Sequence, residues 1–253
     1  MNVQTETLWR ALTFVTPFAS RDDTRPTIYG VSIYAIHDTD GQRIVVEATD
    51  GYTVGVYERR ESYGDDVPWL NEGSVERVDL RTDTAVAFVA KIGKLTTAAK
   101  RARRKNGIVS VSAIRVTKDG TITLRGGHRD KSVLLKGAPR KEDPIAIHRV
   151  WPSIERDPTE DILMNPVYGE RAFRGFRRLG ITSVKWDHSG NAASPIMVSS
   201  VNSFPDERSG LMSDESCAAL MMPMRCFDEG SAFPYPRLTA IVAQPYANPE
   251  AAE

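Results

Sequence analysis

One succession of elements comes round three times in this chain, and it limits the fold more than any composition does. Thr5 to Ser20 ("TETLWRALTFVTPFAS") sets Leu8, Leu12 and Val15 at helical spacing, with Thr5 or Thr7 as N-cap. Three β-branched and aromatic runs follow, "TIYGVSIYAIH", "QRIVVEAT" and "YTVGVYE", separated by "DTDG" and "DG", the chemistry of tight hairpins. The second round begins with a short strand-like run, "AVAFV", passes into the helix "AKIGKLTTAAKRARRK" and continues with "IVSVSAIRV", "TITLRGG" and "KSVLLKG". The third reads "DILMNP", "VYGERAFRGFRRLG", "ITSVKWDH", "PIMVSSV" and "AALMMPMR". A period of roughly 75 residues is too long for a solenoid, and one such unit alone would leave a sheet face uncovered, so units must pack on one another. The pattern predicts an α+β fold built of repeated βαβββ units, the first without a recognisable leading strand.

Residues 1–153 then hold two units, 1–58 and 75–153, joined by the polar, turn-rich linker 59–74. The third occupies 161–226, and 227–253, rich in proline and small residues, is expected to be an extended or partly disordered tail in which only "LTAIVA" has strand character. At 253 residues, 41% hydrophobic and 26% charged, the composition is that of a globular chain. Cys217 and Cys226 lie outside any zinc or redox spacing and fit a reduced compartment. No apolar run approaches the about 20 residues of a membrane span. A cytoplasmic protein is expected.

With 33 Lys and Arg against 33 Asp and Glu, electrostatic function has to come from how charge is distributed. The second helix carries Lys91, Lys94, Lys100, Arg101, Arg103, Arg104 and Lys105 with no acidic residue among them, over a thin apolar face of Ile92, Leu95, Ala98, Ala99 and Ala102. In the third, Arg171, Arg174 and Arg178 share one face beside Arg177, with Phe173 and Phe176 pointing the other way. One such helix is ordinarily a solvated stripe; two, in separate units of a neutral chain, point to a polyanion. Without aromatic interleaving or a recognition-helix pattern, the contact is with phosphates and not with bases.

Nothing in the chain assembles as a catalytic or metal centre. His37, His128, His148 and His188 are scattered, Asp22-Asp23 and Asp65-Asp66 sit among turn formers, and the glycines of "TLRGGHRD" belong to a hairpin and not to a phosphate loop. A non-enzyme without cofactor is expected. The oddest stretch is "CAALMMPMRCF", where methionines and a proline occupy places that an ordinary strand fills with Val or Ile.

Together, "LWRALTFVTPFASRDDTRPTIYGV", "VVEATDGYTVGVYE", "RVWP" at 149–152 and the closing "MPMR" resemble the bacterial β sliding clamp, the processivity subunit of the replicative DNA polymerase. The resemblance covers about residues 1 to 226 and implies the DNA-clamp fold, with helices on an inner, DNA-facing side and antiparallel sheets outside. It implies that Lys91, Lys94, Lys100, Arg101, Arg104, Lys105, Arg171, Arg174 and Arg178 face sequence-independent duplex DNA. It also implies an apolar groove that receives short linear motifs of a DNA polymerase, a clamp loader and other proteins. By position, that groove is Thr49, Gly51, Tyr52, Thr53, Val54, Arg149, Val150, Leu220, Met222, Pro223 and Met224. Methionine suits it, because an unbranched polarizable side chain repacks around different ligands. Thr53 stands in place of the family's arginine, and Ile145 or Pro144 in place of its groove proline.

The family's chain has three domains of two units each, whereas three units are counted here. Three units cannot enclose a duplex, so a clamp of this size is expected to be a homo-oligomer, its third unit unpaired within its own chain and exposing the Phe173/Phe176 helix face and the "PIMVSSV" sheet edge. So compact a form would suit a virus infecting bacteria. The alternative function is a decoy that keeps the groove, forms no ring and draws replication proteins away from a host clamp.

Overall fold

The computed structural model describes residues 1–38, 41–61, 75–106, 113–116, 121–125, 134–135, 164–187, 195–200 and 215–222; for residues 2, 38, 41, 95–106, 113–116, 122–125 and 134–135 it describes the backbone alone. The first unit runs β1 (Asn2–Gln4), α1 (Thr5–Val15), a 3₁₀ turn (Thr16–Phe18), then β2 (Val31–Asp38), β3 (Gly41–Thr49) and β4 (Thr53–Glu61). The second comprises β5 (Val75–Leu80), α2 (Thr82–Asn106), β6 (Ala113–Val116), β7 (Ile122–Arg125) and β8 (Leu134–Leu135). From the third come α3 (Pro166–Arg178), β9 (Val184–Asp187), β10 (Ile196–Ser200) and β11 (Glu215–Met221).

Several local expectations shift. "AVAFV" is not a strand but the second turn of α2, because Ala85, Phe88 and Ile92 recur at i, i+3 and i+7 and all three are buried. The leading strand lies upstream, at Val75–Leu80. α1 starts at Thr5, with Gln4 at the N-cap position and no side-chain cap bond. β4 runs three residues past the expected unit boundary, to Glu61, whose carboxylate accepts from the Gln4 backbone N–H at 3.1 Å and so ties β4 to the start of α1. Of "DILMNP", 161–163 lie outside the described residues, and Asn165 caps α3 by accepting from Val167 N at 3.0 Å.

Among the described residues two sheets form, both antiparallel, in the orders β1-β6-β7-β8 and β5-β2-β3-β4-β11-β10-β9. The first two units exchange leading strands: β1 pairs with β6 of the second unit, and β5 with β2 of the first. Neither unit therefore has a complete sheet without the other. The third unit is not unpaired within its chain. β11 lies against β4 from Glu215↔Arg59 to Met221↔Thr53, so the first unit's sheet runs on into the third. β10 is interior to that sheet, and its terminal strand is β9.

On one face of the long sheet α1 packs against both α2 and α3. Strand residues alternate in and out, so Ile33 and Ala35, Ile44 and Val46, Tyr57, Val198, and Ala219 and Met221 meet Leu8, Leu12, Phe14 and Phe18. Phe14 touches Phe18 at 5.5 Å between ring centroids and Phe176 of α3 at 5.0 Å. Each such ring pair contributes roughly 1 kcal/mol beyond its area burial. Phe176 is thus buried inside its own chain, whereas Phe173 stays 40% exposed. A polar lock adds to this contact: the Arg10 guanidinium of α1 donates to Glu215 of β11 at 2.7 and 2.9 Å and to the Leu179 carbonyl at 3.4 Å. Burial works against the Arg10 charge, but Glu215 more than offsets it and the pKa rises.

Candidate binding groove at the seam of the first and third units

The β4–β11 seam is organised by the turn between β3 and β4. Asp50 Oδ1 accepts from the backbone N–H of Tyr52 at 3.0 Å and of Thr53 at 2.7 Å, and from the Thr53 hydroxyl at 2.9 Å. The Thr49 hydroxyl donates to the Thr53 carbonyl at 2.7 Å and accepts from Gly51 N at 3.0 Å. Gly51 sits at φ +91°, the left-handed region that favours glycine. These bonds use up the side chains of Thr49 and Thr53, both buried, so the two residues build the site and offer it little surface. What they present is Tyr52, 54% exposed and stacked on Tyr168 of α3 at 5.9 Å and 15° between planes. The Tyr52 carbonyl accepts from Met222 N at 2.9 Å, which fixes the end of β11 beside the turn.

On the sheet face away from the helices, register aligns Thr49, Val54, Leu220, Met197 and Asp187 in one row across five strands. The row behind it is Glu47, Val56, Ala218, Ser199 and Lys185. Val54 and Leu220 form an apolar cluster separate from the main core, with Val56 and Met197 packed against it. Met222, 40% exposed, follows Leu220 at the strand end. The structure therefore brings Thr49, Gly51, Tyr52, Thr53, Val54, Leu220 and Met222 to one seam, while Arg149, Val150, Pro223 and Met224 lie outside the described residues. Val56, Met197 and Tyr168 were not foreseen at this place. Strand alternation from Val54 would have reached Val56; the other two arrive only when the third unit docks.

On the opposite face the cations divide. Lys91 and Lys94 of α2 are exposed, as are Arg174, Arg177 and Arg178 of α3, with Arg174 paired to Glu170. The side chains of Lys100, Arg101, Arg104 and Lys105 lie outside the described residues, on a stretch whose backbone continues α2. Arg171 departs from the expectation of an open cationic stripe. Its Nη1 pairs with Asp50 Oδ2 and reaches the Thr53 hydroxyl at 3.3 Å, so it clamps α3 onto the seam turn. Burial, reinforced by the Asp50 charge, raises the nearby Tyr168 phenol pKa. Among the described residues no His, Cys, Asp and Glu group could hold a metal ion, and no helix is long and apolar enough to cross a membrane.

The fold built of these units is similar to that of several solved structures. The chain is similar to the DNA polymerase III beta subunit of Thermotoga maritima, at 13% identity and TM-score 0.56, over 90% of this chain and 65% of that one. It is similar to the DNA polymerase sliding clamps of Bacillus subtilis (12%, TM-score 0.58, 90% and 64%) and Pseudomonas aeruginosa (11%, TM-score 0.58, 89% and 66%). This is the sliding-clamp fold. No family model matches the sequence, and no curated protein does either. The expected α+β clamp architecture is thus the one observed, in a chain that spans about two thirds of the length of these clamps. Within that fold the helix layer and the seam patch lie on opposite faces of one sheet.

Proposed function

We propose that the chain is a non-enzymatic DNA clamp, a processivity factor that holds a replicative polymerase and other motif-bearing proteins to duplex DNA. The observation that carries this reading is the seam. A sheet shared by the first and third units carries the buried apolar pair Val54 and Leu220, with half-buried Val56 and Met197 packed against it and Tyr52 and Met222 exposed at its rim, on the face opposite the basic helices. Two surfaces on opposite faces can be occupied at once, which is what tethering a protein to DNA requires. Contacts from Lys and Arg to phosphates carry no sequence readout and exchange with counterions, so they permit sliding.

Two measurements test it. A fluorescent peptide of the Gln-x-x-apolar type is expected to bind at micromolar Kd, about 8 kcal/mol, and Met222→Ala with Met224→Ala to weaken it by at least about tenfold. Reversing Arg101, Arg104 and Lys105 to Glu is expected to reduce retention on circular duplex DNA and to flatten its salt dependence, with peptide binding unchanged. Peptide binding with no DNA retention in the wild type would replace the clamp reading by the decoy. Unaltered peptide binding in a folded double variant would make the methionines structural.

A further inference from the structure

The sulfur atoms near the seam differ sharply in burial. Five of the seven methionines are among the described residues, and of these Met222 alone is exposed, at 40%. Met221, its neighbour at the end of β11, is fully buried in the core, and Met1, Met164 and Met197 are half-buried. Cys217 is buried in the same core, where burial, reinforced by the Glu215 charge, holds its thiol pKa well above the usual range. A thiol with so little thiolate reacts slowly with peroxide. A thioether has no proton to lose, so its reactivity follows its exposure, and Met222 is the sulfur in reach. It also stands where a change of polarity matters. Its backbone N–H donates to the Tyr52 carbonyl at 2.9 Å, which holds the residue at the rim of the Val54–Leu220 cluster. That bond belongs to the main chain, so chemistry at the thioether leaves the strand end in place.

We propose that Met222 is a reversible oxidation site, modified by a peroxide, and that its sulfoxide closes the seam to apolar ligands. A sulfur lone pair attacks one oxygen of hydrogen peroxide and the O–O bond breaks. The other oxygen leaves as hydroxide and takes the proton from the newly bonded oxygen to form water. Sulfur is thereby oxidised to the sulfoxide and the peroxide is reduced. The product is a strong, hydrated dipole in place of a flexible apolar group. An apolar side chain laid over it strips that water and supplies no hydrogen bond in return, so the ligand the rim would otherwise take is rejected. Methionine sulfoxide reductases return the thioether and reopen the site.

The closing role rests on the reading of the seam as a ligand groove, but the oxidation is measured without any ligand, so the two fail separately. After treatment of the whole chain with hydrogen peroxide, peptide mapping by mass spectrometry is expected to show Met222 gaining oxygen at least about tenfold faster than Met221, at a rate that does not rise with pH as a thiol's would. The treated chain is expected to bind the Gln-x-x-apolar peptide at least about tenfold more weakly, with far-ultraviolet dichroism unchanged, and to recover on incubation with methionine sulfoxide reductases. Met222→Leu, with no sulfur at the rim, is expected to change its own affinity by less than about twofold under the same treatment. Oxidation of Met221 as fast as Met222, a treated wild type that binds as before, or an equal loss in Met222→Leu would overturn the proposal. An untreated chain that binds no peptide would overturn the groove reading and the closing role with it, while the mapped rates would still decide whether Met222 is the site.

Discussion

Replacing Asp50 tests whether the seam turn and its grip on α3 are the joint that holds the third unit in place. Asp50→Ala removes three hydrogen bonds to Oδ1, those from Tyr52 N, Thr53 N and the Thr53 hydroxyl, together with the ion pair from Oδ2 to Arg171. Loss of a carboxylate that accepts turn N–H groups costs about 1–2 kcal/mol, by analogy with helix N-caps. Losing the ion pair adds about 1 kcal/mol, because the partners are only 15% and 28% exposed and Arg171 keeps only the more distant Thr53 hydroxyl as an acceptor. The sum is about 2–3 kcal/mol. Asp50→Asn keeps the Oδ1 acceptor and loses only the charge, so it should cost about 1 kcal/mol. A double-mutant cycle of Asp50→Asn with Arg171→Met, read by urea denaturation at neutral pH, should return a coupling of about 1 kcal/mol. Equal losses for Ala and Asn would refute the turn's share, and a coupling below about 0.3 kcal/mol would refute the clamp on α3. Because the Tyr52 carbonyl accepts from Met222 N, the Ala variant should also loosen the patch and weaken peptide binding.

Two further outcomes follow from the same packing. At Gly55 a Cβ would stand 2.2 Å from the Phe18 ring, which is fully buried and has nowhere to move, so Gly55→Ala should destabilise by about 3 kcal/mol, measured as a lower urea midpoint. The Tyr34 phenol donates to Glu47 at 2.9 Å, and burial, reinforced by the Glu47 charge, pushes its pKa up to about 12. A folded-state pKa raised above the unfolded value of about 10 stabilises below pH 10 and loses that contribution as pH rises through 12. Thermal melts across this window should therefore fall more steeply for the wild type than for Tyr34→Phe.

Much of the fold can be read locally. The alternation of Ile33 and Ala35, or of Ile44 and Val46, marks strands whichever neighbours they find, and Leu8, Leu12 and Val15 mark a helix face. Hairpin turns such as "DG" are read the same way, since their conformation is set by the residues within them. β1 escaped notice because three residues, Asn-Val-Gln, carry no pattern; they are a strand only because β6 pairs with them more than a hundred positions away. "AVAFV" misled because aromatic and β-branched content favours a strand until Phe88 and Ile92 find α1 to bury against.

Which residue meets which across the units is a different matter. Edge-to-edge pairing is made by backbone amides and carbonyls, which every residue owns, so no side chain announces that β11 will lie on β4. Without that contact the third unit looks partnerless, Phe173 and Phe176 look equivalent, and Arg171 looks like one more solvated cation. Docking of α3 on α1 decides between the two phenylalanines: Phe176 goes under, against Phe14, and Phe173 stays out beside Trp186. Docking also brings Arg171 to Asp50 across 121 residues of chain. The sequence alone determined the local elements: the helix faces, the strand alternation and the tight turns between strands. Only the tertiary structure decided how the units join, because strand edges and helix faces are chosen by whatever second surface can satisfy their hydrogen bonds and exclude water.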